Sequence, residues 1–384
     1  MVINKWAEFI NKYIFSFKIG YLYLCLLNFF TFYFTNFEIV SVCVDFFRPL
    51  LPWIGIVVLL VDNKDFKNYK IILLITFFYL FANTNYNVIN DIGIELLLCI
   101  MFISECPKEI GKYVFYYLVL WLIASILGSI TGLLPFTYRI LGNRHHYIFN
   151  FAHHNKIGLY IFGILALYYY LIKQQVFRNI YLYLILCIVA ISYTFLLCDS
   201  RTATLVDLML ITAVIFDQWI IPKYHWLENF FFMLMKYLWI LPIATLGISM
   251  VLAVTYNADS FIWQFANKLL SGRLELQHNF YLNYGFPLFG SGIQFCGYEC
   301  DVYAYVDNGF LRYIYENGLI FITVLLTVFS VQLHRIFSKK GNIYLFFITL
   351  IFCFVGLSEW ISFIYCPFIY MLFCDCDGKE SRYL

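Results

Sequence analysis

The length of the uncharged runs limits most sharply what this chain can become. The segment YLILCIVAISYTFLL, residues 183–197, contains no Asp, Glu, Lys, Arg or His, and similar segments recur along the chain. A helix needs about 20 apolar residues to cross the hydrocarbon layer of a bilayer. There a helix also satisfies its own backbone hydrogen bonds without water. Suitable runs lie at 18–36, 39–61, 69–84, 88–104, 112–132, 154–172, 179–198, 202–221, 230–254, 309–331, 343–357 and 358–374. The third, eleventh and twelfth are short, so the expected number of membrane helices is about 12, in the range 10–12. Only 12% of residues are charged and 63% are hydrophobic, whereas a soluble domain is about a quarter charged. The expected fold is an all-α polytopic membrane protein, with residues 1–384 forming a single integral membrane domain. Pro49 and Pro52 are expected to break the second span near one end.

Cytoplasmic connections of membrane proteins are enriched in Lys and Arg. With the N-terminus inside, the inner segments hold 17 of the 25 basic residues, and 14 of those 17 are Lys. Both termini are therefore expected to be cytoplasmic. The outer ends hold Arg48, Arg139, Arg144, Lys156, Arg201, Lys268, Arg273 and Arg312, of which six are Arg. A lysine that only sets topology needs to be no more than a solvated point charge. The planar fork of Arg grips phosphate or carboxylate at two points. Outer arginines placed against the charge bias thus call for an anionic partner, either a ligand or a nearby carboxylate such as Asp45, Asp199 or Glu316. Two outer connections are long, 133–153 and 255–308, and together they would form the active-site face. No basic cluster suited to a nucleic-acid backbone occurs. The first 17 residues are amphipathic and lack a small-residue cleavage site, so no cleavable signal peptide is expected. Most of the 12 cysteines lie in apolar runs. Cys296 and Cys300 share the second long connection, where a disulfide and two free thiols are both open readings.

Four stretches carry candidate chemistry. In LCDSRTATLV, 197–206, Ser200 or Asp199 caps the next helix, and its N-terminus with Arg201 makes an anion site. The other reading is an Asp199–Arg201 pair at a tight turn. NKLLSGRLELQHNFYLNYGFPLFGSGIQF, 267–295, is amphipathic up to Tyr284. Leu269, Leu270, Leu274, Phe280 and Tyr281 are expected on the membrane surface, with Arg273 among polar groups. Gly290-Ser291-Gly292 reads as a plain turn or as a phosphate-facing backbone. In VDNGFLRYIYENGLI, 306–320, Asn308, Arg312 and Glu316 follow one another at four-residue intervals on one helix face. Arg312–Glu316 reads equally as a structural pair or as part of a site that includes Asn308. Asp307, where the loop meets the helix, is placed to orient or deprotonate a hydroxyl. LGNRHHYIFNFAHHNKIG, 141–158, groups His145, His146, His153 and His154 with Arg144 and Asn155. It offers no HExxH and no supporting carboxylate, so the reading adopted is hydrogen bonding to sugar or phosphate, with no metal. His278 is a second candidate acid or base.

These stretches, in this order, resemble the superfamily of O-antigen ligases and O-antigen and capsular polysaccharide polymerases. The matching residues are Ser200 to Ala203, Ser271 to Arg273, Pro287 to Gly292, then Asp307, Asn308 and Gly318; FAHHNKIG is similar to an Asn-containing family stretch. The resemblance covers roughly 140–330. It implies a GT-C-like architecture with a long extracytoplasmic loop in the bacterial cytoplasmic (inner) membrane. It further implies transfer of sugar chains carried on undecaprenyl diphosphate, without metal or cofactor, and pathway partners such as a flippase and a chain-length regulator. Arg201 and Arg273 would hold the donor diphosphate, with Arg144, His154, Asn155, Asn308 and Arg312 as further contacts. Asp307, or else His278, would handle the acceptor proton. Ligases of this family typically carry a His where this chain has Asp307-Asn308, and that departure favours a polymerase. A ligase-type glycan transferase remains the alternative, and a flippase of lipid-linked sugars is the rival from another class.

Overall fold

The computed structural model describes residues 109–134, 138–141, 144–149, 151, 153–291, 293, 306–339 and 342–359, together with residue 54. The spans expected at 18–36, 69–84 and 88–104, almost all of 39–61 and 358–374, and the Cys296–Cys300 pair lie outside them. The protein is a helical membrane protein: among the described residues, five helices are long and apolar enough to cross a bilayer, and two more are apolar but shorter. The described chain divides into two compact units that part at residues 211/212.

The first unit contains α1 (Glu109–Ile130), a hairpin of β1 (Tyr138–Leu141) and β2 (Arg144–Tyr147), α2 (His154–Lys173), α3 (Ile180–Leu196) and the start of α4 (Arg201–Ile215). At its centre is α2, whose residues from Ile157 to Leu171 are almost all buried. Gly158 allows this packing. A Cβ there would sit 2.3 Å from the Cβ of Ala203, so α2 and α4 approach each other through a missing side chain. The hairpin, with Leu141 opposite Arg144 in antiparallel register, occupies part of the connection read from sequence as a loop. It is anchored where Tyr147 N donates to Leu197 O at 3.0 Å and Tyr193 Oη donates to Tyr147 O at 2.9 Å.

The second unit continues from α4 through a wide turn at Phe216–Ile220 and a tight turn at Ile221–Lys223. It contains α5 (His225–Met235), α6 (Leu241–Thr255), α7 (Phe261–Leu269), α8 (Arg273–Tyr284), α9 (Gly309–Asn317), α10 (Leu319–Lys339) and α11 (Ile343–Ser358). Two expected spans are each divided here. The run 230–254 is not one helix, because Pro242 has no N–H to donate and is accommodated only in a first turn, so α6 starts at Leu241. The run 309–331 breaks at Gly318, whose φ of +92° is open to glycine. The carbonyls and amides freed there are satisfied by the PLFGS segment: Leu319 N donates to Pro287 O, Ile320 N to Leu288 O, and Ser291 N and Oγ both to Tyr315 O. That segment therefore acts as a splint for the helix break, and the N–H of Ser291 points at protein rather than at an anion.

Candidate functional site

The candidate cluster of the second unit is built on Arg273, the first residue of α8. Ser271 (φ +57°) and Gly272 (φ +83°) reverse the chain between α7 and α8. Asn267 then caps α8 from outside, its Oδ1 accepting from Leu274 N at 3.1 Å and Glu275 N at 3.2 Å. This fixes Arg273 at a defined exit angle. Its Nε donates to Asp307 Oδ2 at 3.0 Å and its Nη2 to Glu359 Oε1 at 3.1 Å. One guanidinium thus bridges the residue before the Asn308 cap of α9 and the residue that ends α11. Burial disfavours the Arg273 charge, but the Glu359 and Asp307 carboxylates outweigh that effect and hold its pKa above the ordinary arginine value. Asp307 and Arg273 are each about one-fifth exposed, 21% and 20%, whereas Glu359 is 6%. The Arg273–Asp307 edge is therefore partly open to solvent, while Glu359 is shielded.

The neighbouring candidates are tied into the protein. Asn308 Oδ1 caps α9 by accepting from Leu311 N at 3.1 Å, and its Nδ2 donates to Ser249 Oγ on α6 at 3.1 Å. It is buried, so its amide is committed to the α9 cap and to α6 instead of facing solvent. Arg312 Nε donates to Glu316 Oε1 at 2.6 Å with both side chains largely buried, so the pair read from the four-residue spacing forms. His278 is half-buried. Its Nδ1 donates to Ala253 O at 2.8 Å, because a carbonyl can only accept, and the Nε2 lone pair is left as its basic site. Leu274 and Phe280, expected on the membrane surface, are instead buried, because α8 packs that face against α6 and Tyr315.

In the first unit, the residues expected to bind ligand gather around the start of α4. Ser200 Oγ donates to Asn155 Oδ1 at 2.7 Å and accepts from Ala203 N at 3.4 Å, so Ser200 caps α4 and Asn155 ties it to α2. Arg201 is exposed and has no ion-pair partner among the described residues, so the tight-turn pair with Asp199 does not form. Asp199 instead adopts φ +47°. His146 Nδ1 donates to Cys198 O at 2.6 Å. The His154 ring lies 4.9 Å from that of His146 and 4.0 Å from that of His153. Arg144 opens β2; its side chain and those of Arg139 and His145 lie outside the described set. Among the described residues, no group of three His, Cys, Asp or Glu side chains is arranged to hold a metal ion.

Two acidic residues stand outside the stretches that carry candidate chemistry. Glu359 lies within the run expected to span at 358–374, and its signal in the sequence is a lone carboxylate after an apolar stretch. Asp207 interrupts TLVDLML in the same way. It is 2% exposed, its Oδ2 accepts from Thr194 Oγ1 at 3.3 Å, and its Oδ1 has no partner among the described residues. No known protein family, curated protein or solved structure matches the chain.

Proposed function

We propose that this protein is a polysaccharide polymerase that joins undecaprenyl-diphosphate-linked repeat units on the outer face of the bacterial cytoplasmic membrane. In this reading the chain crosses about 12 times, in a GT-C-like arrangement with cytoplasmic termini, and Arg273 and Asp307 face outward. The observation that carries it is the reachable Arg273–Asp307 pair, braced by the shielded Glu359. A diphosphate competes with the two carboxylates for the guanidinium fork, and the guanidinium stabilises the negative charge that develops on the diphosphate as it leaves. The hydroxyl of an incoming lipid-linked repeat attacks C1 of the donor sugar. The new C1–O bond forms as the bond from C1 to the diphosphate oxygen breaks, and undecaprenyl diphosphate leaves with the electron pair. Asp307, released as the diphosphate engages Arg273, takes the hydroxyl proton. Arg201 is assigned to anion binding independently, from its exposed place at a helix start.

The test is incubation of the purified protein with synthetic lipid-linked repeats, for wild type, Arg273→Lys and Arg201→Lys. A ladder of products that is lost in both variants while folding persists supports the reading; unchanged ladders overturn the arginine roles. In cells, deleting the gene separates the alternatives. Single-repeat surface glycan is expected of a polymerase, accumulated lipid-linked polymer of a ligase, and repeats trapped inside of a flippase.

A further inference from the structure

Helix α7 carries an apolar face that nothing among the described residues of the second unit covers. Phe261, Ile262, Phe265 and Leu269 are 80%, 75%, 58% and 68% exposed. Their spacing of one, three and four residues places them on one side of the helix. The opposite side is committed to the protein. Gln264 Nε2 donates to Ala258 O at 2.8 Å, and Asn267 donates through Nδ2 to Tyr256 Oη at 3.3 Å and to Glu275 Oε2 at 3.2 Å, besides capping α8. The helix therefore cannot roll to bury its apolar residues without breaking the α8 cap.

We propose that α7 lies in the membrane–water interface with the Phe261–Ile262–Phe265–Leu269 face in lipid, and that it fixes the depth at which Arg273 sits. Three observations identify the occupant as the bilayer. The preceding α6 is apolar enough to span and still exposes Val251 and Val254 in its last turns, so hydrocarbon extends nearly to its end at Thr255. Only Tyr256–Ser260 separate the two helices, and five residues reach at most about 17 Å. The Tyr256 and Trp263 rings, 5.9 Å apart, are an aromatic pair of the kind enriched at headgroup level. Arg273 follows Leu269 by four residues through the Ser271-Gly272 reversal, so the anchored helix holds the guanidinium near the headgroups. A soluble sugar nucleotide has no need of that placement, whereas a diphosphate on a lipid does. This last point rests on the function proposed above; the placement of α7 does not.

The test uses the full chain in vesicles of phosphatidylcholine and phosphatidylglycerol, with a genetically encoded nitroxide amino acid at position 262, 264, 265 or 269. Labels at 262, 265 and 269 are expected to relax with oxygen and resist an aqueous nickel chelate, and a label at 264, exposed on another side of the helix, to be more open to the chelate. Labels at 262, 265 and 269 open to the chelate, or shielded from both reagents by protein, overturn the proposal. In a second arm, the combined Phe261→Ser, Ile262→Ser, Phe265→Ser and Leu269→Ser variant is compared with wild type on a long-chain lipid donor and on a short, water-soluble prenyl donor. Transfer from the long-chain donor is expected to fall at least about tenfold, with the short donor unaffected; equal effects on both overturn the depth role. If the labels report lipid but wild type transfers from neither donor, the interfacial helix stands and the polymerase reading falls.

Discussion

Arg273 and Asp307 are 34 residues apart in the chain, yet Nε of the first and Oδ2 of the second meet at 3.0 Å. The same guanidinium reaches Glu359 Oε1, 86 residues away, at 3.1 Å. Three segments that share no local sequence signal converge on one cation.

The two arms of this bridge differ in energy. Glu359 is far less exposed than Asp307, so solvent screens its attraction to Arg273 less. A double-mutant cycle on Arg273→Gln and Glu359→Gln is expected to give a coupling of about 1–3 kcal/mol, and the cycle with Asp307→Asn about 1 kcal/mol or less. Thermal unfolding in detergent reads both. Equal couplings would show that Glu359 is not the brace.

Asp307→Asn keeps an oxygen that can accept from Arg273 Nε, so the melting temperature is expected to change little. Transfer is expected to fall about 100-fold or more in turnover with little change in KM, because a proton acceptor acts in the chemical step. Turnover equal to wild type removes Asp307 from that role.

Gly318→Ala places a Cβ 2.3 Å from Leu288 O and 2.6 Å from Gly290 N at a φ of +92°. A loss of at least about 2 kcal/mol is expected, from left-handed strain plus a contact with backbone that cannot swing away. Gly132→Ala is the control: its φ is +75° and a Cβ there meets nothing within 4 Å, so strain alone operates, about 1 kcal/mol. Calorimetry or urea-dependent unfolding of the two variants separates the terms.

Gly158→Ala drives a methyl into that of Ala203 and is expected to lower the melting temperature. Adding Ala203→Gly is expected to recover part of the loss but not all of it, because the new Cβ also lies 3.2 Å from Thr194 Cγ2. No recovery in the double variant would mean that the α2–α4 contact is not what Gly158 protects.

The expected ends of several helices match what forms. Runs read at 112–132, 154–172, 179–198 and 343–357 correspond to α1, α2, α3 and α11 within a few residues, because a long apolar stretch leaves the backbone no partner but itself. The divisions at Pro242 and Gly318 are visible in the sequence only as residue types within apolar runs. Hydrophobicity along a run does not report that a missing N–H or a left-handed φ must interrupt it. The motif residues divided in the same way. Asn155 and Asn308 read as ligand contacts by type, and the structure commits their side chains to a cap and to links between helices, while Ser200, one of two cap candidates, does cap α4.

Sequence by itself determined that this is a membrane protein and where most of its described helices run, since both follow from composition within a window about as long as the bilayer is thick. It also brought forward Asp307, from its place where a loop meets a helix, and Arg273, as an outer arginine set against the charge bias. Only tertiary structure decided that these two residues meet, that Glu359 shares the same guanidinium, and that the exposed apolar face is on α7 rather than α8. Those outcomes depend on how helices distant in sequence pack, and the spacing of residues along one segment contains no information about which other segment comes to lie beside it.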